Sequence, residues 1–394
     1  MNIPMKRTLA LAFLLASCRA VVSAQGTPVS IGDKVRLHSA LLNEDRTILL
    51  SLPPAYEQGD LRCPVIYLLD GDALFLQAVA SARFLASQGR APQIIVVGVT
   101  NTDRTRDLTP APAVPDKENP TAGGADRFRR FLTTELRSYI EGRYRTEPYR
   151  ILIGWSYGGL FAIHALLSEP DSFDAYITAS PSLWWDDKAE SGMAAKLFDS
   201  GAEPRKFLYL SHGRENNGIP ESVQAFAAVL GRKAPASLKW RLDYLAGDGH
   251  ASVPARAIYN GLENLFSGWA IPDNVIPAAA DFEKRFADLS AEFGFPCRPN
   301  EAMINGMAYA LLRSREKEAK ALELFQYAVR CYPGSANAHD SLAEAYEAAG
   351  KLDLALESSR TACRLGERAS DPRLPNFKKR LEGIEAKTAQ DGRR

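Results

Sequence analysis

Gly154-Trp155-Ser156-Tyr157-Gly158 is the stretch on which the reading of this chain turns. Arg150-Ile151-Leu152-Ile153 runs into it, a short apolar and β-branched stretch that predicts a buried strand. Gly159-Leu160-Phe161-Ala162-Ile163-His164-Ala165-Leu166-Leu167 runs out of it and predicts a helix. Strand, G-x-S-x-G, helix is the context that a nucleophile elbow requires. The serine must sit on a turn so tight that a side chain at either flanking position would strike neighbouring backbone. Glycines at 154 and 158 remove those side chains, and Gly159 lets the helix pack closely on its strand. The helix N-terminus then directs N–H groups at any negative charge forming beside Ser156. Structurally, the bland alternative is a tight strand-to-helix turn with no chemistry.

Outward from this point, strands and helices alternate over residues 30–270. Val35–Leu41 and Arg46–Leu52 predict an antiparallel pair across the Asn43-Glu44-Asp45 turn. Apolar runs at Pro64–Leu69, Gln93–Val99, Arg150–Ile153, Phe173–Thr178, Lys206–Leu210 and Leu238–Leu245 predict further strands. Helical patterns at Ala73–Ser87, Ala125–Tyr144, Tyr157–Ser168, Ile219–Arg232 and Ser252–Phe266 separate most of them. Such alternation implies an α/β fold, a mostly parallel sheet with helices on both faces. Asn101 to Gly124, rich in Pro, Thr, Asp and Gly, reads as a long loop over the C-terminal edge of the sheet.

Beyond Pro272 the strand signals stop, and residues 276–390 read as a second, all-helical domain. Ala308, Leu312, Ala321, Leu322, Glu323, Ala328 and Arg330 recur 34 positions later as Leu342, Tyr346, Ala355, Leu356, Glu357, Ala362 and Arg364. This spacing resembles the tetratricopeptide repeat. A protein partner bound through these helices is one expectation; a scaffold packed on the first domain is the other.

The chain has 394 residues, 46% hydrophobic and 24% charged, with a formal net charge of +1. That balance is ordinary for a soluble protein and points to no nucleic-acid partner. Lys6 and Arg7 precede the apolar run Leu9–Ala16, which predicts a secretory signal peptide over residues 1–24 and an exported, periplasmic or secreted product. Two processing sites compete. Leu15-Ala16-Ser17-Cys18 resembles a lipobox that would leave a lipid anchor on Cys18, whereas Val22-Ser23-Ala24 suits cleavage before Gln25. Cys63, Cys297, Cys331 and Cys363 show no C-x-x-C pair and no metal-ligand spacing. Buried free thiols are one reading, and a Cys297–Cys331 disulfide is the alternative that an oxidising compartment permits.

A serine hydroxyl needs a base to take its proton and a third group to orient that base. Of the five histidines, His250 lies in Ala246-Gly247-Asp248-Gly249-His250-Ala251-Ser252, a Gly-rich loop after the last strand, where the base is expected. His212 is the second candidate; His38, His164 and His339 are placed on an early strand, down the helix and in the repeats. The acid should follow the 206–210 strand, where Glu215 is the first carboxylate. Glu221, Asp243 and Asp248 remain alternatives. The oxyanion needs two donors: the N–H of Tyr157, and that of Gly71 or Asp72 in Leu68-Leu69-Asp70-Gly71-Asp72. Asp70 and Asp72 lack a third partner for a metal, so neither a metal nor an organic cofactor is expected. Trp184 and Trp185, in Ser180-Pro181-Ser182-Leu183-Trp184-Trp185-Asp186, either line a substrate pocket or pack beneath the loop.

These segments together resemble the putative-esterase branch of the α/β-hydrolases, which includes siderophore (enterochelin-type) esterases, esterase D-like enzymes and feruloyl esterases. The likeness rests on Tyr67-Leu68-Leu69-Asp70-Gly71-Asp72, on Arg104 through Asp107-Leu108-Thr109-Pro110, on Gly154 through Phe161, on Ser180 through Trp185, and on the loop carrying His250. It implies an α/β-hydrolase fold and an esterase working through Ser156, His250 and Glu215 on a small-molecule ester. Trp155 departs from the histidine that many relatives carry and alters the pocket floor. An acyltransferase using the same residues, and a non-catalytic binding protein acting through its repeats, are the alternative classes.

Overall fold

The computed structural model describes residues 29–391, apart from 55, 57–59, 273 and 314–317. The predicted leader, with Cys18, lies outside the described residues. Among the described residues eight strands form one sheet: β1 (Asp33–Ser39), β2 (Glu44–Ser51), β3 (Cys63–Leu68), β4 (Ile95–Val99), β5 (Thr146–Trp155), β6 (Ala175–Ala179), β7 (Phe207–Gly213) and β8 (Lys239–Leu245). Their spatial order is β1-β2-β4-β3-β5-β6-β7-β8. β1 and β2 pair antiparallel, as do β2 and β4, and every later neighbour is parallel. The first hairpin turns earlier than the sequence suggests. Glu44 and Asp45 join β2, while Asn43 takes the left-handed conformation at φ 56.

The strands were legible as continuous apolar runs because alternate side chains leave the sheet on opposite faces and both faces are covered. Ile66, Leu68, Ile151, Ile153 and Ile177 pack one way, against α1 (Gly71–Ser87) and α8 (Val253–Leu265). Val65, Tyr67, Leu152, Tyr176 and Leu208 pack the other way. There they meet α3 (Ala125–Phe131), α4 (Arg137–Arg143), α5 (Tyr157–Ser168), α6 (Trp185–Asp199) and α7 (Ile219–Lys233).

Three local expectations need correction. The stretch expected as one helix over Ala125–Tyr144 is α3 and α4 joined by a π-helical turn at Leu132–Leu136. The expected loop from Asn101 to Gly124 contains the short α2 (Arg104–Leu108), capped by Asp103 through Arg106 N–H at 3.0 Å. The Trp184–Trp185 loop is instead the entry to α6, whose next residues Asp186, Asp187 and Lys188 have φ of 46°, 51° and 62°.

From Ile31 onward the chain is one compact unit. The C-terminal region is helical: α9 (Ala279–Phe293), α10 (Glu301–Leu312), α11 (Glu318–Cys331), α12 (Ala336–Ala348), α13 (Leu352–Ala369) and α14 (Leu374–Asp391). These helices share the core on the α1 and α8 face. Phe293 lies 5.3 Å from Trp269, 5.4 Å from Phe266 and 5.1 Å from Tyr149 of β5, ring centre to ring centre. The cysteines at 63, 297, 331 and 363 are free, so the Cys297–Cys331 disulfide does not form. Burial pushes the thiols of Cys63 and Cys297 up to about 12.

Candidate active site

The site is assembled where β5 meets α5. Ser156 takes φ 58 and ψ −116, a conformation that a residue with a Cβ adopts only under constraint. The constraint is visible. Ser156 N–H donates to Ala179 O at 3.0 Å, and Ser182 N–H donates back to Ser156 O at 3.1 Å, so the elbow is tied to the end of β6. A Cβ on Gly154 would sit 2.0 Å from Gly158 O, and one on Gly159 would sit 2.8 Å from Pro181 Cα. Only glycine permits this close approach. The Ser156 and Ser182 hydroxyls lie 3.3 Å apart.

Two loops from neighbouring strands reach the same place. After β8, the loop carrying His250 returns to the elbow, where Trp155 Nε1 donates to His250 O at 3.0 Å. The indole and imidazole rings lie 5.1 Å apart. After β7, Glu215 places Oε2 2.7 Å from His250 Nδ1. Its side chain is only 2% exposed, and its Oε1 accepts from Ser180 Oγ at 2.5 Å and from Gly213 N–H at 3.1 Å. Burial pushes the Glu215 carboxyl up. The hydrogen bonds from Ser180, Gly213 and His250 outweigh it and leave the group below its ordinary value of 4.5. The Nδ1 side of the ring is thus taken up by the carboxylate, and Nε2 is left as the nitrogen that could act on a neighbouring hydroxyl.

The other candidates are occupied elsewhere. Buried His212 donates from Nδ1 to Gly213 O at 3.0 Å and stacks near Tyr244. His164 lies between Glu190 and Asp126. Asp243 accepts from Tyr209 Oη at 2.8 Å and Arg241 Nε at 2.7 Å, and Asp248 accepts from Ser252 Oγ at 2.9 Å. Glu221 is in the first turn of α7.

Tyr157 is the first residue of α5, and Gly71 and Asp72 are the first two of α1. The first N–H groups of a helix have no partner within it and point outward. At Gly71 a Cβ would sit 2.7 Å from Gly98 carbonyl carbon, so the α1 turn is pressed against β4. Among the described residues no group of three or more His, Cys, Asp or Glu side chains is placed to hold a metal ion.

The tryptophans divide. Trp185 is 4% exposed and belongs to the core, whereas Trp184 is 40% exposed. Both lie near Tyr157, with ring centres at 5.6 Å and 6.3 Å. Trp155 stands between the His250 backbone and the guanidinium of Arg104. Sequence reasoning did not assign Ser180, Ser182 or the Arg104–Asp70 pair. Asp70 and Arg104 each stand in a motif of the family resemblance, but their pairing is not readable there, because an ion pair spanning a loop leaves no mark in local spacing.

A sheet of this order, with a strained serine between its central strand and the following helix, defines an α/β-hydrolase. The chain belongs to the family described as Putative esterase, which matches residues 39–250. It is 40% identical over 185 residues to a siderophore enterobactin esterase of Emericella nidulans, covering 41% of this chain and 61% of that one. It is 34% identical over 177 residues to the ferri-bacillibactin esterase BesA of Bacillus subtilis, covering 39% of this chain and 60% of that one. The matches thus span about three fifths of the length of these relatives. Among solved structures, an IroE-like serine hydrolase from Shewanella oneidensis superposes with a TM-score of 0.68 at 27% identity, over 76% of this chain and 99% of that one. Among the described residues no helix is long and apolar enough to cross a membrane.

Proposed function

We propose that this chain is an exported serine carboxylic-ester hydrolase acting on a siderophore-type ester through an acyl-enzyme. The observation that carries this reading is the His250–Glu215 pair, 2.7 Å apart, hung from the elbow by the Trp155 indole. Ser156 Oγ attacks the ester carbonyl carbon as its proton passes to His250 Nε2. Glu215 holds the Nδ1 proton and stabilises the imidazolium that results. Charge on the carbonyl oxygen is received by the N–H of Tyr157 and that of Gly71 or Asp72. Collapse expels the alcohol, which takes the proton from His250. Water then attacks the acyl group by the reverse sequence, and Ser156 is regenerated.

The siderophore assignment is supported by the relatives named for enterobactin and bacillibactin. Export is supported by the basic and apolar leader. Replacing Ser156 by Ala tests the reading: turnover of a tri-ester siderophore and of a short p-nitrophenyl ester should both fall by at least about 10³-fold. Undiminished hydrolysis by Ser156→Ala sinks it. A parent enzyme that cleaves the p-nitrophenyl ester and leaves the siderophore intact removes the substrate assignment alone.

A further inference from the structure

The β3–α1 turn and the elbow are far apart in the chain, yet one side chain grips both. Asp70, between β3 and α1, takes φ 53 and ψ 42, a left-handed conformation disfavoured for a residue with a Cβ. Its carboxylate is 3% exposed and receives a forked pair from Arg104: Nε to Oδ1 at 2.6 Å and Nη2 to Oδ2 at 2.9 Å. The same Nη2 donates to Trp155 O at 3.1 Å, the carbonyl of the residue immediately before Ser156. Asn101 Nδ2 adds a further bond to Asp70 Oδ1 at 2.8 Å. On the far side, a Cβ on Gly158 would lie 3.2 Å from Asp70 Oδ2, so the carboxylate rests against the first turn of α5. The guanidinium is held over the rings of Trp155 and Tyr157, at 5.8 Å and 5.6 Å from their centres.

We propose that Arg104 and Asp70 are a positioning pair that fixes the distance between the two halves of the oxyanion hole. One half, at Gly71 and Asp72, begins one residue after Asp70; the other, at Tyr157, begins two residues after the carbonyl that Arg104 binds. The inference rests on the esterase reading above. Electrostatics gives Arg104 a second duty. A buried, unpaired Asp70 would oppose the negative charge that develops close by in the transition state, and the guanidinium cancels it. Lysine could keep the charge, but not the planar fork that spans a carboxylate and a carbonyl at once.

The test is steady-state kinetics with a p-nitrophenyl ester on the full chain, with a urea midpoint for each variant. Arg104→Lys should lower kcat by about 10²-fold, the scale of losing one oxyanion donor, with KM within about threefold of the parent. The pH dependence of kcat/KM should not move, because His250 and Glu215 lie on other loops. Asp70→Asn combined with Arg104→Gln should regain the parent's midpoint, since no buried charge is left unpaired, without regaining kcat. If the double variant recovers both, or if Arg104→Lys stays within about threefold of the parent's kcat, the pair is only structural and the inference fails. Should Arg104→Lys not fold, the double variant decides alone. Ser156→Ala, run alongside, separates this failure from failure of the esterase reading: only the latter leaves Ser156→Ala active.

Discussion

At the scale of single residues, Glu215 gives the sharpest test. Glu215→Gln keeps the shape of the side chain but loses the charge that orients His250. Turnover should fall by about 10²–10⁴-fold with the fold retained by circular dichroism; a fall under about tenfold would remove Glu215 as the acid. The same variant carries a pH signature. The Glu215 carboxyl lies below its ordinary value of 4.5 in the folded protein, so between the two values the unfolded chain binds more protons. Its contribution to stability is therefore present above the ordinary carboxylate value and lost as pH falls through the lower, folded one. Below about pH 5 the gap in unfolding free energy between parent and Glu215→Gln should shrink as the carboxylate takes up its proton. A gap that keeps growing below about pH 4 contradicts the assignment. His250 and Glu215 were legible because both follow strand ends, and strand ends can be counted along the chain. Asp70–Arg104 was not legible, since its partners meet only through the folded turn.

Single elements tell a similar story. The elbow was readable in full from five residues and their flanks, because a turn that tight admits few sequences. Gly154→Ala would drive a methyl into Gly158 O, which cannot yield as the end of a flexible side chain would. We expect a loss of about 1–3 kcal/mol in unfolding free energy, and a turnover loss of about 10²-fold as Ser156 shifts. An unchanged urea midpoint together with full activity would show that the turn is looser than described. By contrast, α6 was missed. Its opening turn runs left-handed through Asp186, Asp187 and Lys188, anchored where Asp186 Oδ2 accepts from Ala113 N–H at 3.1 Å. Aspartate tolerates a single left-handed residue, but a run of three is disfavoured locally, so tertiary contacts must hold it. Likewise the turn before β2 moved because Asn43 accepts a positive φ more readily than its neighbours.

At the scale of the whole molecule, the helices after Trp269 are part of the same core as the sheet. Their helical character was legible from a 34-residue periodicity, but the seam was not, because aromatic contacts across it join residues distant in sequence. Phe293, ringed by Tyr149, Phe266 and Trp269, is the point at which to cut it. Phe293→Ala should cost about 3–5 kcal/mol and leave a single cooperative transition, followed by tryptophan fluorescence and by calorimetry. Two separated transitions would mean that the helices and the sheet unfold independently. The sulfur chemistry carries a further consequence. None of the four described cysteines is joined to another, and burial holds each thiol protonated. A thiol that seldom ionises is a poor target for oxidants and exchange partners. The fold of the described residues therefore needs no oxidative closure, and dithiothreitol should leave its melting temperature where it was.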